Sequence, residues 1–180
     1  MSRIRGKNTT PELVVRQYLH AAGFRFRIHV KKLPGSPDVV LPKYRTCIFV
    51  NGCFWHGHRG CRYATRPKSN AEFWQTKIQN NIRRDELSTQ ALDTMGWRII
   101  TVWECELKKD RREETLRALA EQIRCNGAAY DSEQRQRRER NVEHRARIKA
   151  AKDQYESMMA ELGLAKNRKR SLPHGKATPS

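Results

Sequence analysis

The sequence predicts a mixed α/β domain, a central sheet flanked by helices, followed by a charged C-terminal segment. Short apolar runs bounded by turn residues alternate with stretches whose apolar residues recur at helical spacing, in the order helix, three strands, helix, strand, helix. A strand that follows an intervening helix usually returns to the same sheet through a crossover, so the sheet should be mixed. The 180 residues suffice for one domain of ordinary size with an appendage.

The first helix is predicted to begin with Thr10 as its N-cap, because Pro11 and Glu12 then occupy the first turn. Gly23 is placed to end this helix as a C-cap residue. Apolar and basic residues then alternate over residues 24–30, which is typical of a half-exposed strand.

The remaining elements follow from the same two periodicities. Two further strands are predicted over residues 38–41 and 45–50, after a turn rich in proline and glycine. A second helix is expected over residues 73–92, because Trp74, Ile78 and Ile82 recur at helical spacing. A fourth strand over residues 97–103 and a third helix over residues 110–125 complete the domain.

The composition changes at residue 131, so we place the domain boundary between residues 130 and 131. The tail, residues 131–180, is dense in Arg, Gln, Glu and Lys and has too few apolar residues to pack firmly. It is expected to be a solvated charged helix or disordered, with the end from Lys166 to Gly175 disordered. A nonspecific DNA-holding arm is the alternative, and the sequence does not separate the two.

The charge of the chain indicates a polyanionic partner. There are 37 Lys and Arg against 19 Asp and Glu, a formal net charge of +18. Nucleic acid is the leading partner on this ground, and an anionic membrane surface is the competitor. No apolar stretch approaches the ~20 residues of a spanning helix, and the first residues lack the apolar segment of a secretory signal. We therefore expect a cytoplasmic protein that does not bind membranes.

The five cysteines do not suggest a disulfide framework, because thiols are kept reduced in the cytoplasm. Cys47 lies within an apolar run and is expected to be a core residue, and Cys125 follows a helical pattern without evident chemistry. Cys53, Cys61 and Cys105 are left as candidate metal ligands.

The loop after residue 50 is the densest functional signal. Zn²⁺ prefers thiolate and imidazole ligands in tetrahedral geometry, and Cys53, Cys61 and one histidine supply three from a single loop. Cys105, just past a predicted strand, is the best candidate for the fourth. His56 and His58 both have acceptable spacing, so the sequence leaves the histidine ligand open.

The same loop carries aromatic residues that are candidates for contacts with DNA. Phe54 and Trp55 are adjacent and cannot both point into one core. On a basic protein, exposed aromatic rings suggest stacking on bases or wedging between base steps. Trp74 could join them, although its apolar partners at helical spacing fit core packing equally well.

Asp38 is the candidate ligand for a catalytic metal. It follows a proline-containing turn and opens a strand, so its carboxylate should lie at the rim of the sheet, where a hard oxygen ligand suits Mg²⁺. Such an aspartate commonly only caps a turn, and Glu12 is by itself an ordinary acid at a helix start. The presence of both acids makes each of them a stronger candidate for the functional site.

Several segments together resemble the very-short-patch repair (Vsr) mismatch endonuclease family. The matching segments are residues 1–7, Leu33-Pro-Gly-Ser-Pro-Asp38, Val50-Asn-Gly-Cys-Phe-Trp-His-Gly-His58, Glu72-Phe-Trp74, Gly96-Trp-Arg-Ile99 and Trp103-Glu-Cys105. The resemblance covers roughly residues 1–125. It implies the restriction-endonuclease-like PD-(D/E)xK fold and a Mg²⁺-dependent nick in duplex DNA, 5′ to the thymine of a T:G mismatch that arises by deamination of 5-methylcytosine.

The resemblance also implies roles for individual residues. Asp38 would bind Mg²⁺ together with the backbone carbonyl of Val50. His56 would act as general base or acid near the attacking water, and Glu12 would hold water molecules around the metal. The structural zinc would be held by Cys53, His58, Cys61 and Cys105. The residues expected to contact DNA are Phe54, Trp55, Trp74 and Asn51.

Two positions depart from the pattern of the family. Asn51 stands where some members have a second active-site histidine, and the usual (D/E)xK residues are replaced by Phe49-Val50-Asn51. His56 is therefore expected to have the larger role in catalysis. The alternatives are a nuclease of the same fold that acts on matched sites and a non-catalytic zinc-stapled DNA-binding module. We expect a monomer associated with the bacterial nucleoid, with mismatch-repair proteins as candidate partners.

Overall fold

The computed structural model describes residues 8–65, 67 and 69–162. The chain divides into two compact units, Met1–Ser132 and Glu133–Ser180. Residues 1–7, which belong to the resemblance, and the segment from Lys166 to Gly175, expected to be disordered, lie outside the described residues. The helices are α1 (Thr10–Ala21), α2 (Ala71–Thr94) and α3 (Arg112–Glu161), and the strands are β1 (Val39–Leu41), β2 (Thr46–Asn51) and β3 (Arg98–Trp103).

The described sheet has three strands in the order β1-β2-β3. β1 and β2 are antiparallel neighbours, whereas β2 and β3 are parallel, so the predicted mixed sheet is confirmed. The parallel connection requires a crossover, and the 24-residue helix α2 provides it. β2 and β3 pair along their whole length, with Asn51 opposite Trp103 at their carboxyl ends.

Helices cover both faces of the sheet. On one face, Val15 and Leu19 of α1 and Ile123 of α3 pack with Leu41 and Ile48. On the other, Leu92 of α2 packs with Leu33, Val40, Cys47 and Trp97. Cys47 is fully buried there, as expected, and burial raises the pKa of its thiol to about 12.

The predicted strand over residues 24–30 is wrong. Within the described residues this segment forms only an isolated bridge between Arg27 and Val40. His29 has a φ of 53°, in the left-handed region, which interrupts the extended backbone that a strand requires. β1 is also only three residues long and offers little edge for a fourth strand.

The start of α1 differs by one residue from the prediction. Thr9, rather than Thr10, is the N-cap: its hydroxyl accepts a hydrogen bond from the Glu12 N–H, and the Glu12 carboxylate accepts one from the Thr9 N–H. This reciprocal pair is a capping box, and it fixes the orientation of the Glu12 side chain. Gly23, just past the helix, has the φ of +81° that ends helices.

The third helix is much longer than the predicted residues 110–125. α3 runs without a break for 50 residues, through the position where a change from helix to tail was expected. The loss of the apolar stripe marks where packing ends, but residues of high helical propensity continue the helix. Gly127 is no stop signal, because it allows close approach: a Cβ there would lie 2.5 Å from Cδ1 of Tyr44. Among the described residues, none of the helices has the length and apolar character needed to cross a membrane.

Candidate active site and metal centre

Strand register brings two distant segments of the chain together at one edge of the sheet. Asn51 and Trp103 are paired at the ends of the parallel strands β2 and β3. Cys53 lies two residues beyond the first of these and Cys105 two residues beyond the second. Because parallel strands end at the same edge, the loop after β2 and the 3₁₀ turn Glu104–Leu107 after β3 meet there.

At this edge, four side chains form a cluster with the geometry of a metal centre. The Sγ atoms of Cys53, Cys61 and Cys105 and a ring nitrogen of His58 all lie within 4.8 Å of one another. His58 Nδ1 is 3.6 Å from Cys53 Sγ and 3.4 Å from Cys105 Sγ. Tetrahedral zinc with its usual Zn–S and Zn–N bond lengths sets such pairs about 3.5 Å apart. The donor set therefore fits Zn²⁺ in both chemistry and size.

Burial favours the protonated form of the Cys53 thiol, so binding of a cation would change its protonation state. Cys53 is almost fully buried, and in the absence of a cation burial raises the pKa of its thiol to about 12. A bound zinc ion would hold it as the thiolate instead. The His58 ring stacks on Trp103, with ring centroids 4.1 Å apart and planes within 5°, so the imidazole is held in the orientation that directs Nδ1 to the sulfurs.

Gly57 separates the two histidines that the sequence left as alternatives. It has a φ of +62°, and a Cβ at this position would lie 2.7 Å from Cδ1 of Ile82 in α2. The loop therefore packs closely on α2 and reverses between His56 and His58. As a result His58 lies with the cysteines, whereas His56 faces α2.

His56 is paired with a carboxylate that the sequence reasoning missed. Its Nδ1 is 2.5 Å from Oδ2 of Asp85 in α2, and both side chains are partly buried. This contact leaves Nε2 as the ring nitrogen that can exchange a proton with substrate or water. Asp85 continues the i, i+4, i+7 series of Ile78 and Ile82, and an acid on this apolar stripe was the available signal.

If His56 is the general base that the family resemblance implies, Asp85→Asn should lower the rate of DNA cleavage about 100-fold, within the range expected for losing an effective general base. The amide would retain the contact with His56 but could not stabilise an imidazolium ion. Single-turnover rates of duplex cleavage would measure the effect. Glu86→Gln, at the exposed neighbouring position, is the matched control and should keep the wild-type rate. Equal rates for the two variants would exclude a role for the His56–Asp85 pair.

Asp38 lies at the same edge of the sheet, where backbone groups fix its position. Its N–H donates to the Ile48 carbonyl at 3.0 Å, and its Oδ2 accepts from the Val50 N–H at 2.8 Å. Burial raises the pKa of the Asp38 carboxyl, and the nearby Glu12 raises it further, while the Val50 hydrogen bond, Arg16 and His56 oppose the shift. A partly buried carboxylate with a second acid beside it is a site that favours a cation.

Arg16 connects the two acids. Its Nη2 is 2.8 Å from Glu12 Oε2 and donates to the Asp38 carbonyl at 3.2 Å, while Nη1 donates to Asn8 Oδ1 at 2.7 Å. Glu12 and Arg16 are both buried, with 4% and 8% of their surfaces exposed. Sequence reasoning missed Arg16, because nothing in its spacing distinguishes it from the other basic residues of the chain.

Arg16→Met should lower the free energy of unfolding by about 3–5 kcal/mol, because it leaves the buried Glu12 carboxylate without its ion-pair partner. Urea unfolding followed by circular dichroism would measure the change. Arg25→Met, which removes an exposed arginine, should change stability by less than about 0.5 kcal/mol. An Arg16 variant as stable as the Arg25 variant would contradict the stabilising role of the ion pair between Arg16 and Glu12.

Asp38 and the His56–Asp85 pair line one cavity of about 1190 Å³. Glu12, Val50 and Asn51 also line it, so the expected residues of the catalytic site come together there. The cavity walls are formed by the start of α1, the end of β2, the loop that follows β2 and the face of α2.

The aromatic candidates also come together. Phe54, Trp55 and Trp74 contact one another edge to face, with ring centroids 5.1 to 5.8 Å apart. All three remain partly exposed, and Phe73, which is 58% exposed, extends the cluster. Lys77 Nζ lies 5.5 to 5.6 Å from the rings of Trp55, Trp74 and Phe73, so the cluster combines apolar rings with a positive charge.

Comparison with known proteins gives this site its context. The family model of the DNA mismatch endonuclease Vsr matches residues 1–62. The chain is 52% identical over 107 residues to the type II nicking enzyme V.XorIIP of Xanthomonas oryzae, which covers 59% of this chain and 78% of that protein. It is 39% identical over 123 residues to the DNA mismatch endonuclease Vsr of Escherichia coli, covering 68% of this chain and 78% of that protein.

A third relative, the type II nicking enzyme V.NmeAIP of Neisseria meningitidis, is 45% identical over 125 residues, which cover 69% of this chain and 89% of that protein. The chain belongs to the Vsr endonuclease family. It is therefore a DNA endonuclease, and the resemblance seen in its sequence motifs is confirmed. Membership of the Vsr family also argues against the alternative of a non-catalytic binding module.

Proposed function

We propose that the protein nicks duplex DNA 5′ to the thymine of a T:G mismatch by Mg²⁺-dependent hydrolysis of a phosphodiester bond. The observation that carries the proposal is the meeting of Asp38 and the His56–Asp85 pair in one cavity at the edge of the sheet. A metal-binding carboxylate and an oriented base are the two parts that such a hydrolysis requires.

The proposed fold is the PD-(D/E)xK fold of restriction endonucleases. The mixed sheet with helices on both faces supports it, as does the position of Asp38 at the start of β1 next to the antiparallel β2. The end of β2 supplies Phe49 and Asn51 where the fold usually has its second acid and its lysine.

Mg²⁺ would be held by the Asp38 carboxylate and the Val50 carbonyl, with Glu12 near its water ligands. These are oxygen donors, which Mg²⁺ prefers. The bound ion would polarise the scissile phosphate and neutralise the charge that builds up on it. The chain already holds these groups in place, since the Val50 N–H binds Asp38 and Arg16 joins Glu12 to the Asp38 backbone.

His56 would accept the proton of the attacking water at Nε2, because Asp85 occupies Nδ1. The water oxygen would form the new bond to phosphorus as the bond to the 3′ oxygen breaks, and the departing 3′ oxygen would take up a proton from solvent water. Asp85 would stabilise the imidazolium ion that results and hold the ring in one orientation. A nick with a 3′ hydroxyl and a 5′ phosphate is the product of this direction of attack.

The aromatic cluster and Asn51 are proposed to contact the DNA beside the mismatch. Three mutually packed rings, partly exposed and next to Lys77, can insert between base steps with little loss of side-chain entropy. A mismatched pair reduces the cost of unstacking at that step. A zinc ion held by Cys53, His58, Cys61 and Cys105 would stabilise the loop that presents Phe54 and Trp55.

The test is to incubate the protein with Mg²⁺ and end-labelled duplexes that carry each mismatch, and to map every nick. We expect a single nick 5′ to the thymine of T:G, at a rate at least 100 times that on the paired duplex. Equal cleavage of paired duplexes would support the second candidate, a nuclease acting on matched sites. Absence of cleavage on every duplex, with zinc bound and DNA binding intact, would contradict both.

The cellular setting is proposed on the same basis. We propose that the protein acts as a monomer on nucleoid DNA in the bacterial cytoplasm, with mismatch-repair proteins as candidate partners. Sedimentation of the free protein and of its complex with a mismatched duplex would test the first point, with one protein per duplex expected.

A further inference from the structure

The second compact unit of the chain contains a strongly basic helical segment in which four of the basic residues share one face. Between residues 135 and 152, α3 carries eight basic residues and two acids, Glu139 and Glu143. At 100° per residue, Arg138, Arg145, Lys149 and Lys152 fall within an arc of roughly 60°. We name these four residues the basic stripe. The two acids are four residues apart, so they lie together on another face of the helix.

The basic stripe is available to a partner. All four side chains are exposed, and among the residues that the structure describes none of them forms an ion pair. An exposed charged helix usually gains from ion pairs between neighbouring turns, in the i, i+4 pattern. Here Glu139 and Glu143 lie away from the stripe. Asp153 and Glu156 lie one turn beyond Lys149 and Lys152, but neither forms an ion pair with them among the described residues, so the positive charge of the stripe is left for another molecule.

The spacing of the stripe fits a polyanion of regular charge. Arg138 to Lys152 spans fourteen residues of helix, or about 21 Å at 1.5 Å per residue. Duplex DNA rises 3.4 Å per base pair, so this length corresponds to about six base pairs of phosphate backbone. Duplex DNA is the substrate of an endonuclease. Contacts between basic side chains and its phosphates need no base-specific contact.

We propose that the basic stripe of α3 binds the phosphate backbone of duplex DNA irrespective of base sequence. This proposal deepens the proposed function, on which it rests for the identity of the polyanion. The motifs shared with the Vsr family end at Cys105, so the stripe would add affinity without taking part in the cleavage step. It would act by raising the residence time of the enzyme on DNA that contains no mismatch.

Two variants separate the arrangement of charge from its amount. The first replaces all four stripe residues by Gln, which retains helical propensity. The second exchanges neighbours, R138E with E139R and E143R with R145E, so that composition and net charge are unchanged while two acids enter the stripe. E139Q/E143Q is the control that leaves the stripe intact. Circular dichroism of each full-length variant would verify that helix content is retained.

Binding to a fully paired 30-base-pair duplex would be measured by fluorescence anisotropy between 50 and 300 mM KCl. We expect the slope of log K against log salt to fall by about three to four for the Gln variant, since each phosphate contact contributes about 0.9. The exchange variant should bind at least about tenfold more weakly at 100 mM KCl, and E139Q/E143Q no more weakly than wild type.

An exchange variant that binds like the wild type would overturn the proposal, because bulk charge would then suffice. The same conclusion would follow if the Gln variant lost binding to vesicles containing phosphatidylserine but kept binding to the duplex. Nicking of a T:G duplex at saturating protein should be unchanged in all variants. If the proposed function is wrong, the wild type will not nick the T:G duplex. The dependence of duplex binding on salt concentration would not be affected by that failure.

Discussion

Asp38→Asn should reduce nicking of a T:G duplex by about 1000-fold or more, equivalent to several kcal/mol of lost transition-state stabilisation. The amide oxygen can still accept the Val50 N–H, so the fold around β1 and β2 is retained. What is lost is the negative charge that would hold Mg²⁺. Binding of the mismatched duplex, measured by anisotropy in the presence of Ca²⁺, should remain within about threefold of the wild type.

The same substitution should stabilise the metal-free protein at neutral pH. Burial raises the pKa of Asp38 above its value in the unfolded chain, so the folded state disfavours the charged form. This penalty is absent below the unfolded pKa and becomes fully present once the pH exceeds the folded pKa. Without metal, the Tm of Asp38→Asn should therefore be higher than that of the wild type at pH 7. At acidic pH the two Tm values should be equal. A variant less stable at pH 7, or one with unchanged nicking, would contradict the assignment of Asp38.

His58→Ala and His56→Ala should have opposite effects, although the two residues are separated by only one position. Loss of His58 removes a ligand from the four-residue cluster, so bound zinc should fall below half of the wild-type content and the protein should become poorly soluble. Loss of His56 should leave zinc unchanged and lower the nicking rate by a factor of about 100 or more.

Zinc content by atomic absorption and single-turnover rates would be measured on the same preparations. Cys125→Ala is the matched control for the cysteine chemistry, because this exposed thiol lies outside the cluster, and it should change neither readout. Zinc lost with His56 and kept without His58 would reverse the two roles.

The sequence predicted those parts of the site that depend on residue type and local spacing. Cys53, Cys61 and Cys105 are soft ligands at suitable spacing, and the structure brings them together because the ends of parallel strands share an edge. The choice between His56 and His58 could not be made in this way. It depends on the close packing of Gly57 against Ile82, which is a tertiary contact.

Asp85 and Arg16 show where reasoning from local patterns ends. Each residue is a functional candidate because of a partner that is distant in sequence and adjacent in the fold. Asp85 contacts His56, and Arg16 contacts the backbone of Asp38. The strand expected over residues 24–30 failed for a similar reason. Its alternation is real, but His29 adopts a left-handed backbone conformation and the neighbouring strand β1 is short.

The four side chains of the metal cluster come from two segments, one after β2 and one after β3, and this has a consequence for the order of synthesis. Asp38, His56 and Asp85 all precede Cys105 in the chain. Domains fold as units while the chain grows, and β2 cannot pair with β3 until residues 98–103 have emerged. A chain that stops before Cys105 would therefore contain every proposed catalytic group but only three of the four side chains of the metal cluster. Such a shortened chain should therefore lack the fixed loop geometry that the proposed nicking reaction requires.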